Sequence, residues 1–511
     1  LAGCLVPPAA LGQATSGTIS GTVTDQSGAS VLGAAVSVRN LDTNVTRTAA
    51  TEADGRYNFP GLPVGRYEVI IEVKGFAKHV RGPINLVLNQ EAVVNVELKP
   101  ASVQETIVVT DDAPMLSTSS AEVGVRFDER RLADLPIAAF AGGGFRDVFA
   151  AVLSAPGVSQ LNSGNTQFAT GTAFSANGMR TRGNNFMVDG QDTNEPGVSG
   201  RSVPIKNPDT VKEVRLITNQ FLAEYGRSAG SVVNAITKSG TNALHGSAFE
   251  FYNGNHLNSL SNLDKAAGNK AAPFTIEHQY GGTAGGRIIK DKTFFFGSLQ
   301  RWTQRQLGSG YTIRGVPTDQ GKQMLQQLAG SRPQVAALLK FMPAAQAPIG
   351  TNARLTVGGQ TVQIPLGSLT SSTAGFGNNW QWSGRIDHQL TQKHSLGGRF
   401  LFNDNVSGGS GQVTPPGLTI QQPSRQQALS VWLTSMLSTR SLNEVRLSYQ
   451  RFASTTAASD PASESIPSVE IPELGMTGFN SAVNRTAIGL ALNLPQFRFN
   501  NVYQIQETFT H

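Results

Sequence analysis

The sequence predicts an all-β-dominated protein: a small N-terminal β-sandwich, an α+β unit, and the first ~8 strands of a transmembrane antiparallel β-barrel. Three observations carry this. After about residue 243 the apolar residues alternate with polar ones at a period of two. The connections between those segments are short and long strictly in turn, as in barrels with tight turns at one rim and long loops at the other. No run of 18 apolar residues exists, which excludes a transmembrane helix and leaves the closed barrel as the structure that satisfies its backbone in lipid.

The strands follow in order. Strand 1 covers 244–252 and leads into a loop reaching about residue 275. Strand 2 (277–288) turns at Lys290-Asp291-Lys292 into strand 3 (293–302). A long insert occupies 304–378, with helical spacing over 318–328 and 333–341. Strand 4 sets Trp380, Trp382, Gly384 and Ile386 on one face against Gln381, Ser383, Arg385 and Asp387 on the other. It turns through Thr391-Gln392-Lys393 into strand 5, where Leu396, Gly398, Phe400 and Phe402 oppose Ser395, Arg399 and Asn403. After a loop over 405–423, strands 6 and 7 join near Ser438-Thr439-Arg440, with Val445, Leu447 and Tyr449 on one face of the seventh. A last excursion over 453–495 precedes strand 8, which begins near Phe497. Structureless loops of this length are uncommon in compact soluble domains. An open eight-stranded sheet would leave an unpaired edge in lipid, so further strands of a larger barrel are expected beyond residue 511.

The N-terminal part divides differently. Residues 1–14 read as a signal-peptide remnant, with Gly12 and Ala14 suiting cleavage after Ala14. Leu1-Ala2-Gly3-Cys4 also fits a lipoprotein cleavage motif, but apolar sequence continues past Cys4, which favours ordinary cleavage. Either route exports the chain, and cleavage at Ala14 removes its single Cys and any disulfide with it. Residues 16–100 carry short alternating segments punctuated by Asp25-Gln26-Ser27-Gly28, Ala53-Asp54-Gly55 and Pro60-Gly61-Leu62-Pro63, the spacing of a small β-sandwich. In the linker 101–114, Glu105-Thr106-Ile107-Val108-Val109-Thr110 forms an extended apolar strand stopped by Asp111-Asp112-Ala113-Pro114. Residues 115–240 mix helical spacing at 128–135 and 145–153 with short strands.

Several strings resemble known families. GTISGTVTDQSGASVLGAAVSV followed by TEADGRYNFPGLPVGRYEV resembles the carboxypeptidase regulatory-like domain, an accessory fold and not the peptidase. NNFMVDGQD, AGSVVNAITKSGTN and KDKTFFFG resemble the plug and first barrel strands of TonB-dependent outer-membrane receptors, of the Oar-like group with an N-terminal regulatory-like domain. The resemblance implies a plug at 115–240, a partial barrel at 241–511 and residence in the outer membrane, sandwich and plug on the periplasmic side. It implies a monomeric barrel of about 22 strands in lipid and an unidentified extracellular cargo. It also makes Glu105, Thr106, Ile107, Val108, Val109 and Thr110 a TonB-box, which the periplasmic C-terminal domain of TonB would pair with by β-augmentation. The plainer reading of that segment is a last sandwich strand or a stiff linker. A different class, an outer-membrane anchor for surface adhesion or protein export, needs no such energised strand.

Other motifs are weaker. Gly226-Arg227-Ser228-Ala229-Gly230 matches the nucleophile-elbow pattern, but Ser231–Thr237 alternates like a strand where that chemistry needs a helix, so no catalytic residue and no enzyme is expected. Asp189, Asp192, Asn194 and Glu195 lack the spacing of an EF-hand loop, and Asp189-Gly190 reads as a hairpin turn. The seven His form no zinc-ligand spacing, so neither metal nor cofactor is expected. A net charge of +6 is scattered, without the Lys/Arg cluster that nucleic-acid binding requires. Arg180, Arg182, Asn184 and Asn185 are candidates to face cargo or, preferably, to bond the plug to the polar barrel interior. Trp380, Trp382, Phe294, Phe295 and Phe296 are expected in interfacial aromatic girdles.

Overall fold

The computed structural model describes residues 16–100, 106–109, 123–135, 147–160, 174–197, 203–220, 225–226, 228–260, 262–266, 268–307, 311–329, 331–371, 374–409, 420–438, 441–459, 461, 464 and 495–510. The expected leader 1–14, Glu105 and Thr110 lie outside them.

The first unit is a sandwich of β1 (Ser16–Asp25), β2 (Ala35–Asn40), β3 (Thr46–Ala50), β4 (Arg56–Pro63), β5 (Gly65–Glu72), β6 (Lys78–Leu86), β7 (Glu91–Val93), β8 (Val96–Leu98) and β9 (Thr106–Val109). One sheet runs β4-β1-β7, with β8 also on β1; the other runs β3-β2-β5-β6-β9. Every second residue of β1 is buried, because the strand lies between a core and water. Ile19, Val23, Val36, Val38, Phe59 and Ile71 fill the space between the sheets. Gly55 turns the chain at φ +73°, where an added Cβ would sit 2.5 Å from the Val23 carbonyl oxygen.

A mixed sheet follows, built from β10 (Val123–Asp128), β13 (Asn185–Val188), β14 (Gln191–Asp192), β15 (Val211–Asn219) and β16 (Val232–Thr237) in the order β10-β15-β16-β13-β14. A separate pair, β11 (Val158–Gln160) and β12 (Phe174–Ala176), packs beside it. The helix expected at 128–135 is Glu129–Asp134, its first turn capped by the Asp128 carboxylate accepting from the Arg131 N–H at 2.9 Å. The one expected at 145–153 is a tighter 3₁₀ helix, Val148–Ser154, opened by Asp147. Residues 148–152 are all buried, so this segment is a core plug of side chains rather than a one-faced helix. The core of this unit includes Phe127, Phe149, Phe174 and Phe186, and it also takes in Leu401 and Ala428 from the wall described next.

That wall is an eight-stranded sheet of β17 (His245–Gly254), β18 (Thr275–Ile289), β19 (Thr293–Leu307), β23 (Ala374–Gln389), β24 (His394–Gly408), β25 (Ile420–Met436), β26 (Leu442–Ala458) and β27 (Gln496–Thr510), each antiparallel to the next. Turns at 290–292, 390–393 and 437–441 alternate with the long connections 255–274, 308–373, 409–419 and 459–495, in the expected sequence. β18, β19, β23, β24 and β26 are longer than the alternation alone showed; a 15-residue strand such as β19 spans about 50 Å, enough to cross an apolar band at a tilt and project beyond it. The insert differs from expectation. Its two helices, Asp319–Ala329 and Pro333–Phe341, pack on a three-stranded sheet of β20 (Tyr311–Pro317), β22 (Gln360–Ser371) and β21 (Ala347–Val357), which the sequence reading left as loop. Val316, Leu325, Leu338, Met342 and Ile364 give this small unit its own core.

One face of the wall exposes Trp380, Trp382, Ile386, Val431, Leu447 and Ile505, while the other buries Gln300, Asn379, Arg399, Gln426 and Gln450. Apolar-out and polar-in is the membrane-barrel arrangement. Among the described residues no helix is long and apolar enough to cross a membrane. The aromatic-girdle expectation needs a correction: Phe294 and Phe296 are buried, at 4% and 3% exposure. Three consecutive strand residues cannot share a face, so of this triplet only Phe295 lies on the outward register, opposite exposed Ile386.

Candidate functional site

The polar face of the wall grips the mixed-sheet unit. Two kinds of contact do this. The first is a series of neutral amides that bond main-chain atoms along residues 190–206. Gln381 accepts from the Lys206 N–H at 2.8 Å and donates to the Pro204 carbonyl at 2.6 Å. Gln279 donates to the Lys206 carbonyl at 3.1 Å, Gln450 to that of Asn194 at 3.1 Å, and Gln504 to that of Asp192 at 2.8 Å. Bonds of this kind contribute about 1 kcal/mol each, so the grip is the sum of many weak contacts.

The second is an ionic cluster at Asp189. This residue and Gly190 hold φ of 47° and 78°, the left-handed pair of the expected hairpin turn between β13 and β14. The turn drives a 3% exposed carboxylate into the wall. It accepts from the Thr237 N–H at 2.8 Å, the Thr237 hydroxyl at 2.8 Å and Arg399 Nη1 at 3.1 Å, and Arg385 Nη1 stands 3.5 Å away. Burial pushes this carboxyl up, but the two guanidiniums and the Thr237 bonds outweigh it and hold its pKa below the usual value. Arg385 is shared with Asp387 at 2.8 Å, and Arg446 pairs with Glu444 at 2.7 Å. Both guanidiniums lie over the Trp432 ring, which lies flat against Gly397. Three cations thus meet three anions, and the charge closes.

The sequence placed Asp189 in a turn and Arg385, Asp387 and Arg399 on polar strand faces without joining them into a cluster, although a signal was there. The Thr391-Gln392-Lys393 turn places Arg385 directly opposite Arg399 on the inward face. Like charges facing each other across a ladder are unfavourable, so the pair demands an external carboxylate.

The sandwich sits at the rim that carries the short turns. The Asp42 carbonyl accepts from the Asn242 N–H at 2.9 Å, and Gly61 approaches Leu442 so closely that a Cβ would fall 2.2 Å from its Cδ2. Where sandwich, mixed sheet and wall meet, a cavity of about 580 Å³ is lined by charges of both signs, including Arg66, Glu129, Lys238 and Asp387.

Residues 236–511 match the outer membrane beta barrel domain family. The chain belongs to that family. Residues 18–99 of this outer membrane β-barrel protein match the carboxypeptidase regulatory-like domain. It is 33% identical over 304 residues to the TonB-dependent transporter Oar of Myxococcus xanthus, across 58% of this chain and 27% of that protein. The chain therefore spans about a quarter of that relative's length. Among solved structures it is similar to the ferric enterobactin receptor of Pseudomonas aeruginosa (13% identity, 75% of this chain, 45% of that one, TM-score 0.42). A second is the siderophore receptor PirA of Acinetobacter baumannii (16% identity, 75% and 44%, TM-score 0.41). The barrel protein resides in the outer membrane of the Gram-negative envelope.

The candidate residues of this barrel protein separate. Asn184 and Asn185 are buried, but they bond within the mixed-sheet unit and not to the wall. Asn184 donates to the Phe174 carbonyl at 2.9 Å and Asn185 to that of Tyr225 at 3.1 Å. The β13 strand they enter is internal to its sheet, which turns their amides inward. Arg180 and Arg182 are exposed. Of the remaining acidic string, Asp192 accepts from the Asn194 N–H at 2.8 Å and Glu195 from that of Gly197 at 3.0 Å, so these oxygens shape the loop. Thr106–Val109 is the outermost strand of a sandwich sheet, the plainer of the two expectations for that segment.

One titration is exposed to test. Glu213 on β15 accepts from the Leu88 N–H of the sandwich at 2.9 Å and faces Arg126 at 3.2 Å, with Arg215 and Lys212 nearby. Burial outweighs these cations and raises its pKa above 4.5. A raised carboxyl contributes stability that is complete below its unfolded pKa and lost as pH rises through its folded one. Docking of the sandwich is therefore expected to tighten as pH falls through the raised pKa towards 4.5, read as larger hydrogen-exchange protection factors at Leu88 and Asn89. Glu213→Gln should remove this slope; an unchanged slope would assign it to another group.

Proposed function

We propose that this protein moves a large substrate across the outer membrane with energy passed by TonB, residues 115–240 acting as the plug and Glu105–Thr110 as the strand that TonB takes. The observation that supports this best is the seating of the mixed-sheet unit, which shares no strand with the wall, against the wall's polar face through side chain-to-main chain bonds. Contacts of that kind release one at a time under a pull from one end, whereas a permanent wall component would share strands with its neighbours. An energy input follows, since a unit held by many such bonds and an ionic cluster does not leave unaided. The cargo is unidentified.

The test is binding of the TonB C-terminal domain to the peptide 103–114. Val108→Pro removes one main-chain donor and is expected to abolish strand pairing. Equal or absent binding for both peptides would remove the TonB assignment. The second reading is an anchor that displays a surface unit for adhesion or export; the insert between β19 and β23, with its own core, favours it. An anchor would keep its activity with Val108→Pro in the intact chain.

A further inference from the structure

We infer that the cavity where sandwich, mixed sheet and wall meet binds a small polyanion, a molecule bearing two or more phosphate or carboxylate groups. Such a molecule would join the sandwich to the rest of the chain, whatever the chain transports. The cavity volume, about 580 Å³, is that of a small-molecule site. On the wall side the charge is closed, since Asp189, Asp387 and Glu444 match Arg385, Arg399 and Arg446. On the other side it is not. Arg47 and Arg66 of the sandwich and Lys212 and Lys238 of the mixed-sheet unit line the cavity together with Asp42 and Glu129. Arg66 takes Asp42, and the two lysines share Glu129 at 3.0 and 3.1 Å. Four cations thus face two carboxylates on this side.

Arg47 is the group that calls for a ligand. It stands on β3 opposite Val38, which is 1% exposed and pairs in turn with Val69, so the row is a core register that an apolar residue would fill. The guanidinium is buried, yet no carboxylate reaches it among the described residues. Its Nη1 donates to the Pro60 carbonyl at 2.9 Å, and the rest of the fork has no acceptor among the described residues. A buried charge held by one neutral acceptor is costly, and an anion in the adjoining cavity relieves that cost. Arg47 lies on the sandwich and the two lysines on the mixed-sheet unit. A single charged group would satisfy one side; an anion with two charged ends bridges both. The Asn242 N–H, which donates to the Asp42 carbonyl at 2.9 Å, lies on the same seam and reports on its closure.

The test uses the detergent-solubilised chain, with pyrophosphate and citrate as probes and sodium chloride of equal ionic strength as control. Saturating pyrophosphate or citrate is expected to slow hydrogen exchange at Asn242 at least about tenfold and to raise Tm, where chloride does neither. The tighter of the two probes tells phosphate from carboxylate chemistry. Arg47→Met keeps the aliphatic stem and drops the charge. It is expected to weaken polyanion binding at least about tenfold. By removing an unmatched buried cation it should also raise the Tm of the anion-free chain, which the loss of a merely structural arginine would lower. Lys238→Gln, on the mixed-sheet side, is expected to weaken binding independently. No protection beyond the chloride control, or binding by both variants equal to that of the unmodified chain, would overturn the site. A lowered anion-free Tm in Arg47→Met would assign the guanidinium to the fold and overturn it as well.

Discussion

Asp189→Ala is expected to loosen the mixed-sheet unit from the wall by about 3–5 kcal/mol, the cost of removing one partner from a buried ionic pair. The loss comes less from the missing bond than from what stays behind. Arg399, 2% exposed, would keep only Gln191 as a polar partner from the mixed-sheet unit among the described residues, and Arg385 would keep Asp387 and Thr237. Arg385 and Arg399 would then face each other across the β23–β24 ladder without the carboxylate between them. In detergent-solubilised protein, exchange at the amides of 185–192 should accelerate by two orders of magnitude or more, roughly the equivalent of 3 kcal/mol. Pairing the change with Arg399→Leu should restore part of the protection, because the orphaned cation goes too. If the double variant exchanged as fast as the single one, the carboxylate would act through the Thr237 bonds instead.

Phe186→Ala has the second large effect. Its ring meets those of Phe149 and Phe174 edge-on at 5.8 and 5.7 Å, and it is 4% exposed. Truncation leaves a cavity between the 3₁₀ helix, β12 and the sheet, and costs about 3–5 kcal/mol. Residues 123–237 should become protease-sensitive at a lower urea concentration while the wall keeps its strand signal. A shifted midpoint shared by this unit and the wall would show that the two unfold as one, and an unshifted one would overturn the expected cost.

Much of this was legible before any coordinates. The wall strands declared themselves because an apolar face turned to lipid and a polar face turned inward enforce alternation along the strand. The turn at Asp189-Gly190 was legible for a similar reason: a two-residue left-handed turn accepts few residue types. The Asp189 cluster was not, since its partners come from positions some 200 residues away and only the strand register brings them together. Asn184 and Asn185 misled because an amide beside a turn looks the same whether it bonds its own sheet or a foreign wall. The sheet of the insert was missed because β21 is largely exposed, so its residues carry little alternation to read.

The consecutive order of the wall strands bears on how the molecule is made. Each hairpin pairs only with the next, so the wall can be laid down by sequential addition with low contact order. The mixed-sheet unit is synthesised before it, yet Leu401 and Ala428 complete that unit's core. Its last packing step therefore waits for β24 and β25, which keeps the unit plastic until the wall has begun to form around it.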